Sequence, residues 1–389
     1  FFRLSFAMAA VKATLTKSLR DAAKNFDASP VAKAFLMRAV PKDFYNRQTN
    51  RWQPYPSEAD PDTEALLDRL LGEKGMFYKP LGTPLEQVIG ERFPETNDFD
   101  IKSAFATLKF LNDTWESAQK HYAVAAAEDG KDEPPSSTPP ISSLEETTEP
   151  VSGCLLVTHP GSVEPCFGRA VMVLGRHDDE GENAETAGSC AWIINKPTNT
   201  TLGKIMSAAA SPMPGSEQLR RVAEVFEDEP IYIGGPCGSP MIVLHTVDEL
   251  EGCSTKIHDG LYFGYQDCLE TALELIDEES AKPSDFKLVL GTSLWGKEQL
   301  VGEMKQNHWV LVKGSAESIR HVATEHVKPS DDSESMLASL QGTMVSPDGA
   351  QLWGKVMSSL PGEYSAFGCL APIQRHSLDL AMASFHALK

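Results

Sequence analysis

The chain has 389 residues, of which 41% are hydrophobic, and a formal net charge of −20. This length suffices for two or three domains with sizeable cores. The acidic balance opposes approach to nucleic-acid phosphates and to anionic lipid, so we expect no direct nucleic-acid binding. No segment approaches the roughly 18 consecutive apolar residues of a membrane-spanning helix, so no membrane span is expected.

Residues 1–122 are predicted to be mainly helical. The stretch from Met8 to Arg20 is basic and lacks acidic residues, a composition typical of organelle transit peptides. An ordinary basic first helix accounts for it equally well. The apolar periodicity predicts helices at 9–25, 31–38, 61–71, 83–92 and 101–122, with aromatic turns at Phe44-Tyr45 and Trp52 to Pro56.

The composition changes abruptly at residues 123–150, which are rich in Pro, Ser, Thr and acidic residues. Such a segment has almost nothing to bury, so the sequence predicts a disordered acidic linker.

After the linker, short apolar runs bounded by turn residues predict strands with helices between them. A domain with this alternation is expected to be α+β, with a mixed sheet and packed helices. It spans residues 151–364, with an acidic gap near 329–335 and a last helix at 351–360, and a tail follows at 365–389. The predicted strands are 153–158, 169–174, 190–195, 231–234, 241–245, 286–290 and 309–313, and the helices are 202–210, 266–277 and 297–307.

The seven cysteines contain no C-x-x-C pair, and the ten histidines form no H-E-x-x-H motif. Local spacing therefore predicts neither a zinc ribbon nor a thioredoxin-type site, and we expect no metal and no cofactor. A reducing intracellular compartment fits this cysteine pattern best, either the cytoplasm or, if the first residues are a transit peptide, a plastid or mitochondrion.

The segment Gly291 to Lys297 has the spacing of a phosphate-binding loop between a strand and a helix. The next position is Glu298, where a magnesium-binding hydroxyl is required, and its carboxylate would repel phosphates. A tight turn that allows close packing is the favoured interpretation.

The run from Ile231 to Pro240 places paired glycines, two prolines and Cys237 after a strand. Converging backbone N–H groups would suit an anion, and Cys237 would serve as a nucleophile if His245 or another base lay near. A rigid turn with a small buried thiol is the favoured alternative.

A third polar turn is Asn195-Lys196-Pro197, at the end of an apolar strand. Lys196 at this position would bind an anion. The plainer interpretation is that Asn195 supports the turn, Pro197 fixes it and Lys196 is solvated.

These motifs occur in one order along the chain, and together they resemble the AlgH/YqgE family over about 153–364, with the closest likeness to eukaryotic members. The resemblance implies a bifurcated mixed sheet folded into a pseudo-barrel with packed helices. The family's function is unsettled, and some bacterial members carry the label of transcriptional regulator. The matching runs are Glu164 to Val171, Trp192 to Pro197, Ile231 to Pro236, Gly260 to Gly264 and Gly291 to Trp295, followed by Gln299, Glu303 and Trp309.

The residues that the family shares are expected to line a common surface for a ligand or partner. They correspond here to Arg169, Asn195, Lys196, Pro197, Gly234, Gly235, Pro236, His245, Trp295, Gly296 and Gln299. Because no nucleophile or acid/base set accompanies them, we expect no catalytic residues and a non-enzymatic binding or regulatory protein. Its partner would be a protein or a small anionic ligand. The alternative is a phosphate- or nucleotide-handling enzyme that uses Lys196 and the Gly291 to Lys297 turn.

Overall fold

The computed structural model of the chain separates into two compact units, Phe1–Ser137 with Gly362–Lys389, and Thr138–Pro361. The described residues are 2–29, 32, 43–46, 51–54, 84–94, 99–129, 141, 143–159, 166–178, 188–204, 216–238, 240–329, 347–361 and 364.

The described residues of the first unit are mainly helical, as predicted. Its described helices are α1 (Phe2–Asp27), α2 (Leu85–Arg92) and α3 (Ile101–Asp129). The Asp27 carboxylate accepts hydrogen bonds from the N–H groups of Leu85 and Glu86 at 2.8 and 2.9 Å, which satisfies the start of α2. Phe26 packs edge-to-face on Trp115, with ring centroids 5.6 Å apart, and so joins α1 to α3.

One expectation for this unit needs correction. The aromatic turns at Phe44 and Trp52 form an antiparallel hairpin of β1 (Asp43–Asn46) and β2 (Arg51–Pro54), because aromatic residues favour paired extended backbone. The stretch Met8 to Arg20 lies inside α1, where Leu15 and Leu19 are buried, and the transit-peptide interpretation stays a prediction. The helices predicted at 31–38 and 61–71 lie outside the described residues, except for Ala32.

The segment predicted as a linker is ordered at both ends. Helix α3 continues to Asp129, because the run Ala123 to Ala127 consists of strong helix formers and Val. At the other end, β3 (Glu145–Glu146) pairs with the strand that contains Val312 and Lys313. Residues 130–140 lie outside the described part of the chain, so the linker prediction for them stays a prediction.

In its described residues, the second unit has two six-stranded sheets and the helices packed on them. The remaining strands are β4 (Leu155–Thr158), β5 (Val171–Asp178), β6 (Gly188–Ile193), β7 (Pro197–Thr201), β8 (Pro230–Ile233), β9 (Ile242–His245), β10 (Ser254–His258), β11 (Leu261–Gly264), β12 (Phe286–Leu290), β13 (Ser293–Trp295) and β14 (Trp309–Lys313). Among the described helices are α4 (Ser216–Val225), α5 (Gln266–Asp277), α6 (Gln299–Lys305), α7 (Ala316–Thr324) and α8 (Pro347–Ser358).

The first sheet is antiparallel, in the order β13-β6-β5-β4-β14-β3. The second has the order β10-β11-β9-β12-β8-β7 and is mixed, because β12 runs parallel to β8 while its other neighbour is antiparallel. The α+β prediction is therefore confirmed. The predicted helix at 297–307 is shorter in the structure, since β13 and a turn precede α6.

Each sheet has its own apolar core. In the second sheet, Phe226 packs edge-to-face on Phe286 at 5.7 Å, beside the buried face of α5. In the first, Trp295 and Trp309 meet edge-to-face at 5.9 Å. Among the described helices, none has the length and apolar character required to cross a bilayer.

The chain passes between the two sheets twice. Residues 194–196 lead from β6 in the first sheet to β7 in the second, and residues 291–292 lead from β12 back to β13. Backbone bonds join these crossovers to the turn after β8: Ile193 N–H donates to Gly234 O at 2.9 Å, Ile233 N–H to Lys196 O at 2.9 Å, and Gly234 N–H to Leu290 O at 2.8 Å. Residues 193–197, 233–237 and 290–293 are called the sheet junction below.

Candidate functional site

Asn195 holds the first crossover with a completely buried side chain. Its Oδ1 accepts a hydrogen bond from Val171 N–H at 2.9 Å, and its Nδ2 donates to Arg169 O at 2.8 Å and to Gly349 O at 2.9 Å. One amide side chain thus satisfies three backbone groups that come from the start of β5, the turn before it and helix α8. Asn195 is an internal connector rather than a surface group.

Arg169, two residues before β5, adopts a left-handed backbone conformation with φ 51°. Its guanidinium lies over the Trp353 ring of α8, with the central carbon 4.9 Å from the ring centroid. Burial lowers the pKa of Arg169 to about 10, so the group is still protonated at neutral pH. Trp353 in turn donates its indole N–H to Thr158 O at 3.0 Å.

Lys196 points inward from the crossover. Its Nζ donates to Cys166 O at 2.5 Å, and the residue is only 2% exposed. Burial lowers the pKa of Lys196 to about 8. The next residue, the buried Pro197, begins β7 opposite Tyr232. Lys196 is therefore neither solvated nor turned toward an external anion.

A second buried lysine, which the sequence analysis did not select, lies beside the same crossover. Lys287 of β12 donates from Nζ to Ile194 O at 3.1 Å and to Glu325 O at 2.8 Å, and the same atom lies 4.7 Å from the centroid of the Tyr232 ring. Burial lowers the pKa of Lys287 to about 7. Its signal in the sequence was a single lysine in the otherwise apolar strand FKLVL.

The backbone of Val327 holds the Tyr232 hydroxyl through two hydrogen bonds. Its hydroxyl accepts a hydrogen bond from Val327 N–H at 3.0 Å and donates to Val327 O at 3.2 Å. Burial raises the pKa of Tyr232 to about 12. The phenol therefore stays neutral and serves as a connector between β8 and the segment after α7.

The paired glycines of the sheet junction allow very close approach of the backbone. A Cβ added at Gly235, whose φ is +157°, would lie 2.3 Å from Ser293 Oγ and 2.4 Å from Thr292 O. A Cβ added at Gly234 would lie 2.4 Å from Gly291 O. The two turns therefore require glycine for packing.

Replacing Gly235 by alanine is expected to lower the free energy of unfolding by about 2–4 kcal/mol, because a methyl group there must displace backbone atoms. Gly238 in the same turn is the matched control, since a Cβ at that position meets no atom within 4 Å. Urea unfolding of the two variants measures the difference. Equal stabilities would contradict the close packing described for this turn.

The segment Gly291 to Lys297 is not a single turn between a strand and a helix. It contains β13, which pairs with β6, and α6 begins only at Gln299 after Glu298 with φ 60°. The short paired strand separates the glycines from the helix N-terminus, so the arrangement of a phosphate-binding loop is not formed.

Cys237 belongs to a rigid turn. Its N–H donates to Thr292 O at 2.9 Å, and Thr292 N–H donates to Cys237 O at 3.0 Å, so the two residues form an isolated bridge. His245 pairs with Phe286 at the start of β12, whereas the bridge lies beyond its end at Leu290. Phe286 and Leu290 are four residues apart, which corresponds to roughly 13 Å along the strand. His245 is therefore too far away to act as a base for Cys237.

Trp295 leads from the junction to a carboxylate held by three N–H donors. The indole N–H groups of Trp295 and Trp309 both donate to Glu303 Oε2 at 2.8 Å, and Gln299 Nε2 donates to Glu303 Oε1 at 3.0 Å. Gln299 Oε1 also accepts Gly296 N–H at 3.0 Å, which closes the turn before α6. These residues fix α6 against β13 and β14.

The structure thus brings most of the predicted residues to the sheet junction, while His245 lies at the far end of β12. Most of them are buried, and their polar atoms are engaged in internal bonds. The exposed members are Pro236, Gly296 and Gln299. Among the described residues, no group of three or more His, Cys, Asp or Glu side chains is arranged to hold a metal ion.

Several exposed residues lie in the sheet junction or next to it along the chain. We call them the turn surface: Pro236, Gly238, Leu290, Leu294 and Gly296 to Gln299. Leu290 is 42% exposed and Leu294 is 54% exposed. Leu294 faces outward because its neighbours in β13, Ser293 and Trp295, face the interior.

Comparison with known proteins gives matches to about half of the chain. A profile of the AlgH-like family matches residues 155–365, more than half of the chain. A UPF0301 protein of Bacteroides fragilis is 30% identical over 165 residues, which cover 42% of this chain and 72% of the relative. A UPF0301 protein of Xylella fastidiosa is 26% identical over 172 residues, covering 44% and 81%.

Two solved structures are also similar. A crystal structure of protein DIP2367 from Corynebacterium diphtheriae has 18% identity and a TM-score of 0.36, and covers 57% of this chain and 92% of that one. The solution structure of the AlgH protein from Pseudomonas aeruginosa has 19% identity and a TM-score of 0.32, with coverage of 51% and 92%. From the profile match over residues 155–365, the chain belongs to the AlgH-like family.

Proposed function

We propose that this chain is a non-enzymatic binding or regulatory protein, whose AlgH-like domain recognises a protein partner through the turn surface. The main observation behind this proposal is a pair of exposed leucines, Leu290 and Leu294, which are four residues apart in sequence beside the sheet junction. Two large exposed apolar side chains beside a fixed turn are candidate contacts for a protein partner. Lys297 and Glu298 add a polar rim of both charges.

The rigid backbone beneath the turn surface supports recognition. The turns are fixed by the Cys237–Thr292 bridge and by the bond from Gly234 to Leu290. A preorganised surface loses less conformational entropy on binding than a mobile one.

The environment of the basic residues supports binding rather than phosphate chemistry. Lys196 donates to a backbone carbonyl inside the domain, and the Arg169 guanidinium lies over Trp353. A phosphate-handling site needs such cations directed at the ligand. The six described cysteines are free thiols, which is consistent with our proposal of a reducing compartment.

Photo-cross-linking in the native host tests this proposal. A photoreactive amino acid placed at Leu294 in the full chain is expected to give a discrete protein adduct. The same probe at Val151, which is 57% exposed, is the matched control and is expected to give none. Excess unlabelled wild-type protein should suppress the Leu294 adduct, whereas excess Leu294→Asp protein should not.

Two results would contradict the proposal. Equal adduct yields from Leu294 and Val151, including none from either, would rule out the turn surface as the binding site. Saturable turnover of any substrate that Lys196→Ala or Cys237→Ala abolished would contradict the non-enzymatic assignment.

A further inference from the structure

A short segment, residues 143–149, lies along the outer edge of the first sheet, and we call it the strap. It contains β3, which pairs antiparallel with Val312 and Lys313 of β14. Next to this ladder, Thr147 N–H donates to Leu311 O at 2.9 Å. Because β3 ends the strand order of this sheet, the strap occupies the outer edge of β14.

Leu144 is the buried side chain of the strap. It is 6% exposed, whereas Glu145 and Glu146 point into solvent. A Cβ added at Gly314 would lie 2.6 Å from Leu144 Cδ2 and 3.6 Å from Ile319 Cδ1. Gly314, directly after β14, thus leaves the space that the leucine fills.

The strap and the edge of β14 are complementary in charge. Lys313 Nζ lies 3.1 Å from Glu145 Oε1, and both side chains are more than half exposed. An exposed ion pair of this kind adds little stability. It does favour an acidic segment over a basic one at this edge, because a basic residue opposite Lys313 would meet like charge.

The strap is only lightly attached. Its ladder is two residues long, and every strap residue other than Leu144 is exposed or half-buried. At its start, the Ser143 hydroxyl forms a hydrogen bond of 3.0 Å with the Ser315 hydroxyl. Segments with little buried apolar surface open locally at a small fraction of the global unfolding free energy, so the strap can leave while the sheet stays folded.

We propose that the outer edge of β14 is a binding site for an extended peptide of a partner protein, and that the strap closes this site in the free chain. The peptide adds as an antiparallel strand, with an apolar side chain over Gly314 and an acidic residue beside Lys313, as the strap itself does. In such strand addition, main-chain hydrogen bonds provide affinity and side-chain pockets provide specificity.

This site is separate from the turn surface. In the first sheet, β13 with Leu294 forms one edge, and β14 with the strap forms the other. The strap competes with the peptide, so the apparent affinity falls in proportion to the fraction of chains in which the strap is displaced.

Fluorescence anisotropy with a labelled synthetic peptide of residues 143–149 tests the site on the full chain. Leu144→Asp should release the strap, because a carboxylate replaces the leucine over Gly314, and the peptide should bind this variant saturably. Wild type should bind at least about tenfold more weakly. Thr148→Asp, at an exposed strap position, is the matched control and should behave like wild type. A peptide that carries Leu144→Asp should not bind.

Hydrogen exchange on the wild-type chain tests the same site without a substitution. Excess peptide should remove protection from Thr147 N–H, while β14 stays protected because the peptide replaces the strap. Unchanged protection of Thr147 would overturn the proposal, and so would equal peptide binding by the Leu144→Asp and Thr148→Asp chains. A concentration-dependent dimer of wild type in light scattering, lost in Leu144→Asp, would assign the edge to a second copy of this chain and would also overturn it.

Discussion

Replacing Asn195 by alanine is expected to lower the free energy of unfolding by about 3–5 kcal/mol, since each buried polar group left without a partner costs about 1–3 kcal/mol. Alanine leaves Val171 N–H, Arg169 O and Gly349 O without this amide. Asn195→Asp should cost more, because a buried carboxylate would face two carbonyl oxygens to which the amide donated.

Asn199 in β7 is the matched control, because it has the same chemistry and is only half-buried. Asn199→Ala and Asn199→Asp should each change stability by less than about 1 kcal/mol. Urea unfolding followed by tryptophan fluorescence gives the comparison. Stabilities of Asn195→Ala and Asn199→Ala within about 1 kcal/mol of each other would show that the junction does not depend on this amide.

The second large effect is a dependence of stability on pH that originates at Lys287. The unfolded chain holds the lysine proton up to about pH 10.5, whereas the folded chain holds it only to about 7. Between these values the unfolded state binds more protons, so folding is favoured as the pH rises and loses stability as it falls. The maximum slope is about 1.4 kcal/mol per pH unit.

Lys287→Met should remove this contribution. The difference in unfolding free energy between wild type and variant is expected to move in favour of the wild type by a few kcal/mol from pH 7 to 9.5. Comparing the two proteins cancels the titration of other groups, including buried thiols that act in the opposite direction. Lys313→Met, at an exposed lysine of β14, is the control and should keep the wild-type slope. If the unfolding free energies of Lys287→Met and wild type changed in parallel with pH, the lowered pKa of Lys287 in the folded chain would be contradicted.

Apolar runs in the sequence predicted many strands and helices of the second unit, because a buried element can be recognised from its apolar residues alone. The strands at 286–290 and 309–313 and the helix at 266–277 have the predicted bounds. The polar strands β7 and β10, with sequences PTNTT and STKIH, were missed, since their extended form comes from pairing with neighbours rather than from their own composition.

The candidate site was less accessible to sequence reasoning. The Asn195 turn was identified, but the sequence did not show that its side chain points inward, because its partners lie 24, 26 and 154 residues away. Lys287 and Tyr232 were overlooked for the same reason: their acceptors lie at Ile194, Glu325 and Val327. Residues that resembled a ligand site by their polarity instead occupy the meeting point of two sheets.

The long separation between Asn195 and Gly349 affects how the protein is made. During translation the first crossover leaves the ribosome well before the residues of α8, since 154 positions separate the two ends of this hydrogen bond. Until α8 emerges, the nascent chain carries the amide and the Arg169 guanidinium without Gly349 and Trp353. Truncation before residue 347 should therefore leave a partly assembled domain that chaperones retain, and synthesis of α8 completes these contacts.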